Sequence, residues 1–457
     1  MPDSAAGPVY ASEAAQATQV AGVAREAVGV GLVGLGTIGV GVVRAFQQNG
    51  RLIDERLGAP LVLRRIADID LETDRHVPLD AYRLGRDWKE LAEDPAIDVV
   101  IELIGGTGVA LEVVRGALAA GKRVVTANKA LLAHHGPELY ATAREHGSEI
   151  AFEASVGGTI PVLRALREGL CADRVGSLHG VVNGTCNYIL TEMEARGEPY
   201  AACLKRAQDL GLAEPDPSFD VNGMDSTHKL AILVGLGMGL SLHPDDISTE
   251  GIEEISPVDI EYAEQFGLRI KLLAIAKQKG ERLDARVHPS MIPASSVLAR
   301  VDGPMNAIQV HGELSGPTLY YGAGAGSLPT ASAVVADVME LARSLRAGAT
   351  GRVPPLGVDT LREALPERAE ERHGEYYLRF TALDRPGVLA TITGALARHG
   401  ISISSVVQPE RHESRAVPVV IMTHAAPERS LREALEEAAR LEDITAPPRV
   451  IRVERGL

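Results

Sequence analysis

The sequence predicts an α/β fold in which a doubly wound parallel sheet is followed by an α+β domain and a C-terminal ferredoxin-like βαββαβ domain. Three observations support this prediction. Strand and helix patterns alternate from Val28, glycine and proline break the alternation after residue 152, and residues 375–457 have a six-element pattern of their own. Such alternation is typical of a parallel sheet covered by helices. The 457 residues are 45% hydrophobic and only 4% aromatic, so about three domains with aliphatic cores are expected.

Charge and cysteine content exclude several classes of protein. The 46 Lys and Arg residues and 61 Asp and Glu residues give a net charge of −15, which argues against a nucleic acid partner. Cys171, Cys186 and Cys203 form no CxxC pair, as expected in a reducing compartment. The longest uncharged apolar run, residues 27–43, contains six glycines and is short for a membrane helix. Because a secretory signal pattern is also lacking, the chain is predicted to be cytoplasmic, with no membrane partner.

The individual elements follow from short apolar segments and from periodic patterns between turn residues. The expected strands of the parallel sheet are Val28–Val33, Leu61–Ala67, Val99–Leu103, Arg123–Thr126 and Ile150–Phe152, with helices that include Ile38–Gln48 and Ala110–Ala119. Further along, the expected elements are a helix near Met224–Leu240, strands around Arg269–Lys277 and a helix over Thr330–Arg346. The C-terminal βαββαβ order is expected at Tyr376–Leu383, Gly387–His399, Ile401–Pro409, Ala416–Thr423, Ser430–Leu441 and Val450–Glu454.

A glycine-rich loop joins the first strand to the first helix. It contains Gly34, Gly36, Thr37, Ile38 and Gly39. The first glycine permits a tight turn, the second lets pyrophosphate approach the backbone, and the third lets the helix pack closely on the strand. The N–H groups at the start of the helix attract phosphate. Because the loop lies between a strand and a helix of an alternating domain, it predicts a Rossmann-type dinucleotide site.

The end of the second strand is expected to choose between NAD and NADP. Asp68 stands there, and its carboxylate would accept hydrogen bonds from an adenosine 2′-hydroxyl and repel a 2′-phosphate. We therefore predict a preference for NAD. Two alternatives stay open, namely a purely structural role of Asp68 at the strand end and an NADP site that uses Arg64, Arg65 or Arg75.

Five segments are predicted from these patterns. They are a flexible N-terminal tail (1–26), an NAD(P)-binding Rossmann domain (27–152, completed by a helix at 325–347), a catalytic, substrate-binding and dimerisation domain (153–324), a proline-containing linker (348–374) and the ferredoxin-like domain (375–457).

The segment Gly211–Lys229 combines four carboxylates with a lysine. Asp225 and Lys229 are four residues apart on a predicted helix and share one face of it. A lysine beside a carboxylate at the edge of an apolar helix suits proton exchange near neutral pH. An ordinary salt bridge also explains the pair, but oxidation of an alcohol with a nicotinamide cofactor needs a base, which favours the catalytic interpretation. The excess of carboxylates further indicates an ammonium group on the substrate.

Two more features fit an enzyme of this kind. Lys129 follows a strand of the first domain, so it is expected at the carboxyl edge of the sheet, where ligands bind; the alternative is a solvated loop lysine. Residues 153–160 form a glycine-rich turn that offers backbone carbonyls and one carboxylate. Oxygen ligands of this type suit a hard monovalent cation.

Taken together, the motifs resemble those of the homoserine dehydrogenases over residues 28–346. The matching motifs are Gly34–Gly39, Glu102–Thr107, Thr126–Lys129, Glu153–Gly158, Asn183–Leu190, Gly211–Lys229 and Gly322–Thr330. The resemblance implies NAD- or NADP-dependent interconversion of L-homoserine and L-aspartate 4-semialdehyde, in the biosynthesis of threonine, methionine and isoleucine. It also implies a homodimer or homotetramer formed through the middle domain.

The resemblance assigns roles to individual residues. Lys229 is expected to be the proton donor and acceptor, with Lys129 assisting near the reacting oxygen. Glu214 and Asp225 are expected to hold the substrate, and Asp220 to support the site. The residues expected to bind the cofactor are Thr107, Lys129, Gly211 and Gly326. A sodium or potassium ion is expected to be bound by Glu153, Val156, Gly158 and Ile160.

Two positions depart from the pattern of the family. Cys186 stands where threonine is usual, which we interpret as tolerated packing because both side chains are small. The end of the second strand lacks the arginine that is common in members using NADP, and this supports the interpretation of Asp68.

The C-terminal domain resembles an ACT domain, a small amino-acid-sensing fold, on the basis of the segment 384–389 with Gly387. The resemblance implies feedback regulation by an amino acid, L-threonine in relatives of this architecture, while a dimerisation module without ligand is the alternative.

Two rival functions of the whole chain are considered. The first is a catalytically inactive amino-acid sensor, which the intact Gly211–Lys229 segment argues against, and the second is another semialdehyde oxidoreductase. The second rival needs a nucleophilic cysteine with a nearby base, and none of the three cysteines has an evident setting of that kind.

Overall fold

The structure is a computed structural model that describes residues 27–408 and 416–457. The tail predicted at residues 1–26 and the strand end predicted at Pro409 lie outside the described residues. The chain divides into two compact units. The first comprises the chain up to Gly169 together with Ala325–Asp359, and the second comprises Leu170–Gly324 and Thr360–Leu457. Residues 153–169, which the sequence assigns to the middle domain, belong to the first unit.

The strands and helices are numbered in chain order. The strands are β1 (Val28–Val33), β2 (Leu61–Ala67), β3 (Arg83–Gly85), β4 (Val99–Glu102), β5 (Arg123–Thr126), β6 (Ile150–Ala151), β7 (Val175–Val181), β8 (Leu240–Ser241), β9 (Ser248–Thr249), β10 (Leu268–Lys279), β11 (Arg282–Pro293), β12 (Met305–Gly312), β13 (Gly316–Ala323), β14 (Arg362–Glu363), β15 (Leu365–Pro366), β16 (His373–Leu383), β17 (Ile403–Val407), β18 (Ala416–Thr423), β19 (Ala426–Pro427) and β20 (Ile444–Val453). The α-helices are α1 (Thr37–Leu57), α2 (Lys89–Glu93), α3 (Val109–Ala119), α4 (Lys129–Glu145), α5 (Val162–Arg164), α6 (Gly184–Arg196), α7 (Tyr200–Asp209), α8 (Ser218–Val221), α9 (Met224–Met238), α10 (Pro257–Gln265), α11 (Ser327–Arg346), α12 (Val388–Arg398) and α13 (Glu428–Ala438). Within the described ranges, none of the helices has both the length and the apolar character needed to cross a membrane.

The first unit is built on a six-stranded sheet with the order β3-β2-β1-β4-β5-β6, in which each neighbouring pair is parallel. The strand order reverses between β1 and β4, and open α/β sheets bind ligands at the carboxyl ends of the strands at such a switch point. The predicted doubly wound parallel sheet is therefore confirmed. The short edge strand β3 has no apolar run, and the sequence pattern does not predict it.

Helix α1 is longer than the sequence predicts. It continues past Gln48 to Leu57, where Gly58 with a φ of 75° ends it. Gln48 is exposed, whereas Ile53 and Leu57 are buried in the same core as β1 and β2. The apolar face of α1 therefore continues across the polar stretch that suggested an earlier end. Helix α11 packs its apolar side into this core as well.

The second unit contains one large sheet whose main path is β13-β12-β7-β10-β11-β20-β16-β18-β17. Strands β10 and β11 form a long antiparallel hairpin, and β7 pairs with β10 and β12. In the C-terminal domain, neighbouring strands are antiparallel in the order β20-β16-β18-β17. The predicted βαββαβ arrangement is therefore confirmed. Because β20 pairs in parallel with β11 through Arg452 and Val453, this domain extends the sheet of the preceding domain.

The segment predicted to be a linker, 348–374, contributes two short strands to the second unit. Strand β14 pairs with β8, and β15 pairs with the start of β11. Two-residue strands of this kind give no periodic signal, so the sequence shows only the prolines and charges around them.

Candidate active site

The predicted dinucleotide loop lies at the carboxyl end of β1, beside the switch point of the sheet. Gly34 has a φ of 100°, a conformation that favours glycine. A Cβ on Gly36 would meet no atom within 4 Å, whereas a Cβ on Gly39 would lie 2.1 Å from the Gly34 carbonyl oxygen. The three glycines thus make the turn, leave space above the backbone and permit close packing, as a pyrophosphate-binding loop requires. Thr37 and Ile38 lie in the first turn of α1, where free N–H groups attract phosphate.

Asp68 connects the end of β2 to this loop. Its Oδ2 accepts a hydrogen bond from the N–H of Leu35, and its Oδ1 accepts one from the N–H of Asp70 at 2.8 Å. A structural role at the end of β2 was one of the alternatives for Asp68, and these two hydrogen bonds give it that role. Each carboxylate oxygen can accept more than one hydrogen bond, so this role is compatible with binding of a ribose hydroxyl.

Each of the three arginines considered for an NADP site has a contact within the protein, and only that of Arg75 lies at the end of β2 near Asp68. Arg65 is 7% exposed, and its guanidinium forms ion pairs with two carboxylates at α2 and its C-terminal end. Arg75 forms an ion pair with Asp70 at 3.0 Å. The Nε of Arg64 lies beside Gly29, at the amino end of β1, which is the end of the strand remote from the dinucleotide loop.

Glu102 organises the loops that follow β4 and β5. Its carboxylate is fully buried, accepts two N–H groups of the loop after β4, and accepts the Thr126 hydroxyl at 2.6 Å. The Nδ2 of Asn128 donates to the Gly106 carbonyl at 2.6 Å and so ties the second loop to the first. Burial raises the pKa of Glu102, while the hydrogen bonds act against burial.

The remaining predicted ligand-binding residues are placed as follows. Thr107 is exposed in the loop after β4, and Lys129 is the first residue of α4, directly after β5. Gly326 precedes α11 with a φ of 121°. In the second unit, Gly211 follows α7 with a φ of 70°. Glu214 lies in the exposed loop after α7, and its backbone carbonyl oxygen accepts a hydrogen bond from the Gln208 side chain at 3.2 Å.

Lys229 and Asp225 form a buried ion pair on α9. The Nζ of Lys229 donates to Asp225 Oδ2 and to the Val182 carbonyl oxygen, each at 2.7 Å. Lys229 is 9% exposed and Asp225 is 3% exposed, so an exposed surface salt bridge does not describe the pair. Asp225 lies in the first turn of α9, where the partial positive charge of the helix N-terminus stabilises a carboxylate.

Asn183 joins Asp220 to this ion pair. Its Nδ2 donates to Asp220 Oδ1 and to Asp225 Oδ2, each at 2.8 Å. Its Oδ1 accepts the N–H of Cys186, and the Cys186 thiol donates to the Asp220 carbonyl oxygen at 3.3 Å. The sequence places Asn183 in a motif but gives it no role, because a neutral amide shows its importance only through contacts with residues far along the chain.

The predicted cation-binding residues lie in the turn between β6 and α5. Gly157 and Gly158 have φ values of 72° and 59°. The carboxylate of Glu153 accepts the N–H groups of Leu163 and Arg164, each at 2.8 Å, so it is engaged with the start of the following helix. The backbone carbonyls of the turn are then the groups that suit a monovalent cation.

Glu153 and Asp337 form a buried acidic pair in the first unit. The N–H of Glu153 donates to Asp337 Oδ2 at 2.8 Å, and Arg164 donates to Asp337 Oδ1 at 3.1 Å. Burial, and then the charge of Asp337, raise the pKa of Glu153 to about 7. Burial raises the pKa of Asp337 to about 6. In residues 27–408 and 416–457, no group of three or more His, Cys, Asp or Glu side chains is arranged to hold a metal ion.

These placements define what each unit can do chemically. The first unit offers a loop suited to a dinucleotide. The second unit offers a buried lysine that is able to exchange a proton with an oxygen of a substrate. It also offers carboxylates that are able to bind an ammonium group.

Family models match most of the chain. The model described as the NAD binding domain of homoserine dehydrogenase matches residues 34–153. The model described as homoserine dehydrogenase matches residues 161–339, and the ACT domain model matches residues 376–443.

Individual proteins are similar over almost the full length. The homoserine dehydrogenase of Neisseria gonorrhoeae is 42% identical, over 93% of this chain and 98% of that protein. The homoserine dehydrogenase of Pseudomonas aeruginosa is 43% identical, over 94% of this chain and 99% of that protein. The crystal structure of a homoserine dehydrogenase from Thiobacillus denitrificans has a TM-score of 0.89 at 42% identity, covering 94% of this chain and 99% of that one. A hyperthermophilic archaeal homoserine dehydrogenase in complex with NADPH has a TM-score of 0.59 at 26% identity, covering 69% of this chain and 98% of that one.

Proposed function

The chain belongs to the homoserine dehydrogenase family, and from this membership we propose how its own residues carry out the reaction. It is an oxidoreductase with an NAD(P)-binding domain and a C-terminal ACT domain. When bound, the nicotinamide supplies the hydride chemistry at the carbon that bears the hydroxyl of L-homoserine or the aldehyde of L-aspartate 4-semialdehyde. The residues of the protein bind and orient the substrate and move one proton.

Lys229 is the group that moves the proton. The observation that supports this role is the buried position of its Nζ between Asp225 Oδ2 and the Val182 carbonyl oxygen, each at 2.7 Å. In the oxidation, the neutral amine of Lys229 takes the hydroxyl proton and becomes an ammonium group, and in the reduction the ammonium group returns that proton to the carbonyl oxygen. Asp225 fixes the direction of Nζ through the ion pair. Lys129, at the start of α4, assists near the reacting oxygen.

Carboxylates of the second unit bind the ammonium group of the substrate. We assign this task to Glu214 and Asp225, with Asp220 supporting them. Asp220 and Asp225 are held in place by hydrogen bonds, whereas Glu214 lies in an exposed loop. Glu214 therefore contributes from a segment that is able to adjust to the substrate.

NAD is the proposed preferred cofactor. Gly34, Gly36 and the first turn of α1 bind the pyrophosphate, and the Asp68 carboxylate, fixed beside them, accepts a ribose hydroxyl and repels a 2′-phosphate. The ion pairs of Arg65 and Arg75 support this choice because they engage the cations that an additional phosphate would need.

A sodium or potassium ion is proposed to bind at the turn after β6, as a structural ligand of the first unit. The backbone carbonyls of Glu153, Val156, Gly158 and Ile160 are hard oxygen donors. The left-handed conformation of Gly157 and Gly158 gives the turn its curvature. Because the Glu153 carboxylate is bonded to two backbone N–H groups, the ion would use the carbonyls.

An amino acid, with L-threonine as the first candidate, is the proposed effector of the ACT domain. A cavity of about 260 Å³ is lined by Asp384, Arg385, Gly387, Gln408 and Val419, among others. Gly387 precedes α12 with a φ of 99°, so the N–H groups of the helix start are able to meet a carboxylate. Asp384 provides the opposite charge for an ammonium group.

Association into a homodimer or homotetramer is proposed for the second unit. Strand β13 lies at one end of its sheet, and the side chains of Leu319 and Tyr321 on it are exposed. Exposed apolar side chains on an edge strand favour association with another chain. Size-exclusion chromatography with light scattering gives the oligomeric state directly.

The absorbance of reduced nicotinamide, followed with L-homoserine and either NAD or NADP, tests the proposed function. Homoserine-dependent reduction of the cofactor is expected, with a higher kcat/KM for NAD, a requirement for K⁺ or Na⁺, and a lower rate with L-threonine. A chain that binds threonine but shows no reduction of either cofactor would instead be an inactive sensor. Cys186 and Cys203 are disfavoured as nucleophiles of a cysteine-dependent semialdehyde oxidoreductase, because burial raises the pKa of both thiols and a reactive thiol needs a lowered pKa.

A further inference from the structure

We propose that Asn183 is a positioning residue for the reaction, because it holds Asp220 and Asp225 in the arrangement that directs the Lys229 ammonium group. This inference rests on the proposed role of Lys229. Asn183 is 4% exposed and lies just after β7, where it caps the N-terminus of α6.

The cap fixes the orientation of the Asn183 amide. Its Oδ1 accepts the N–H of Cys186 at 2.8 Å, and an oxygen is required there because the partner is a donor. The Nδ2 atom must then point away from the start of α6. The orientation of the amide therefore follows from the helix and does not depend on the carboxylates.

Both hydrogens of the amide are used on carboxylates. Nδ2 lies 2.8 Å from Asp220 Oδ1 and 2.8 Å from Asp225 Oδ2. An amide nitrogen carries two hydrogens, so one side chain bridges two negative charges without adding a charge. Hydrogen bonds to ionised acceptors are stronger than those between neutral groups.

The oxygen that Asn183 holds is the one that binds Lys229. Asp225 Oδ2 accepts from Asn183 Nδ2 and from Lys229 Nζ at 2.7 Å. The position of Asp225 Oδ2 is thus defined by the amide of Asn183, which caps α6, and by the ammonium group of Lys229 on the same helix as Asp225. If the Asn183 donor is removed, Asp225 is able to rotate, and the direction of the Lys229 ammonium group changes with it.

The Asn183→Asp variant tests this directly, because aspartate has almost the same shape and is an equally good N-cap. It replaces the bridging donor with a third carboxylate near Lys229. We expect kcat to fall at least about tenfold, which corresponds to about 1.4 kcal/mol, with a smaller change in KM for NAD. The midpoint of the basic group in the pH profile of kcat should move upward by about half a unit or more, since an added negative charge favours the protonated amine.

The Asn183→Ser variant removes the bridge without adding charge and keeps a side chain that is able to cap α6. It preserves the test if the aspartate variant does not fold, and the same tenfold loss in kcat is expected.

Asn187→Ser is the matched control. Asn187 is a buried amide on the same helix that donates to the carbonyls of Val301, Gly303 and Met305, so its loss should lower the Tm while the pH profile of kcat stays in place.

The outcomes separate this inference from the proposed function. If Lys229→Ala is inactive but both Asn183 variants keep kcat within threefold of the wild-type value, the positioning role is wrong and the proton role stands. If the Asn187 control lowers kcat and shifts the pH profile as much as the Asn183 variants do, the effect is general destabilisation and the positioning role is also rejected. If Lys229→Ala is as active as wild type, the proton role of Lys229 is wrong, and the positioning role of Asn183 is rejected with it.

Discussion

Arg379 of the ACT domain donates from Nε to Asp259 Oδ1 at 2.7 Å, and Asp259 is inaccessible to solvent. Asp259 lies in the first turn of α10, and it also accepts the hydroxyls of Ser256 and Tyr377. Burial raises the pKa of Asp259, but the hydrogen bonds from Arg379 and Ser256 outweigh burial and hold the pKa below its usual value. The ion pair thus joins the C-terminal domain to α10 within one unit.

Replacement of Arg379 by methionine should destabilise the second unit, because it leaves a buried carboxylate without its cation. The expected cost is about 3–5 kcal/mol in the free energy of unfolding, measured by urea denaturation with circular dichroism. The control is Arg385→Met, since the pair of Arg385 with Asp443 is largely exposed. That control should cost less than about 1 kcal/mol, and equal losses in the two variants would contradict the special role of the buried pair.

Replacement of Lys229 by alanine should lower kcat by a factor of about 10² or more, the usual contribution of general acid–base catalysis. Lys229→Arg should also be impaired, because a guanidinium does not release its proton near neutral pH. Steady-state rates with L-homoserine measure both effects, and circular dichroism checks the fold. Lys205→Ala is a suitable control, because Lys205 forms an i,i+4 ion pair with Asp209 on the exposed side of α7. A kcat within a few-fold of wild type for Lys229→Ala would remove the lysine from the mechanism.

Replacement of Asp68 by serine should change the cofactor preference. The loss of a negative charge at the end of β2 relieves repulsion of a 2′-phosphate, so the ratio of kcat/KM for NADP to that for NAD should rise about tenfold, equivalent to about 1.4 kcal/mol. The rate with NAD should also fall, since Asp68 accepts the N–H of Leu35 in the dinucleotide loop. Glu55→Gln, which removes an exposed carboxylate near the C-terminal end of α1, should leave the ratio nearly unchanged. An unaltered ratio in the Asp68 variant would show that this carboxylate does not select the cofactor.

Stability should depend on pH through Lys271, which is buried and bonded to Asn187, Val301 and Asp302. Burial lowers the pKa of Lys271 to about 8, below the value of about 10.4 expected in the unfolded chain. Between these values the unfolded state binds more protons, so the free energy of unfolding rises with pH in this window.

The measurement compares wild type with Lys271→Met at pH 7 and pH 9.5. The advantage of wild type over the variant should grow by about 1–2 kcal/mol between the two pH values. A constant difference would mean that the folded chain leaves the titration of Lys271 unchanged, and a shrinking difference would reverse the sign of the argument.

Local patterns were sufficient to predict the architecture. Strands β1, β2 and β5 have the bounds that their apolar segments suggest. The three glycines of the dinucleotide loop provide the turn, the open space and the close packing expected of them. Elements without a periodic signal, such as β3 and β14, were not predictable in this way. The end of α1 was predicted too early, because its polar stretch around Gln48 hides the continuation of the buried face to Leu57.

The sequence by itself determined the fold class, the family motifs and the Asp225–Lys229 pair, because each depends on residues close together in the chain. The tertiary structure decided which of those groups are buried and what they contact. It turned the Glu153 carboxylate toward the start of α5, tied Asp68 to Leu35, and brought Asn183 to Asp220 and Asp225. The physical reason is that helix and strand periodicity are local properties, whereas burial and hydrogen bonding depend on groups that only the folded chain brings together.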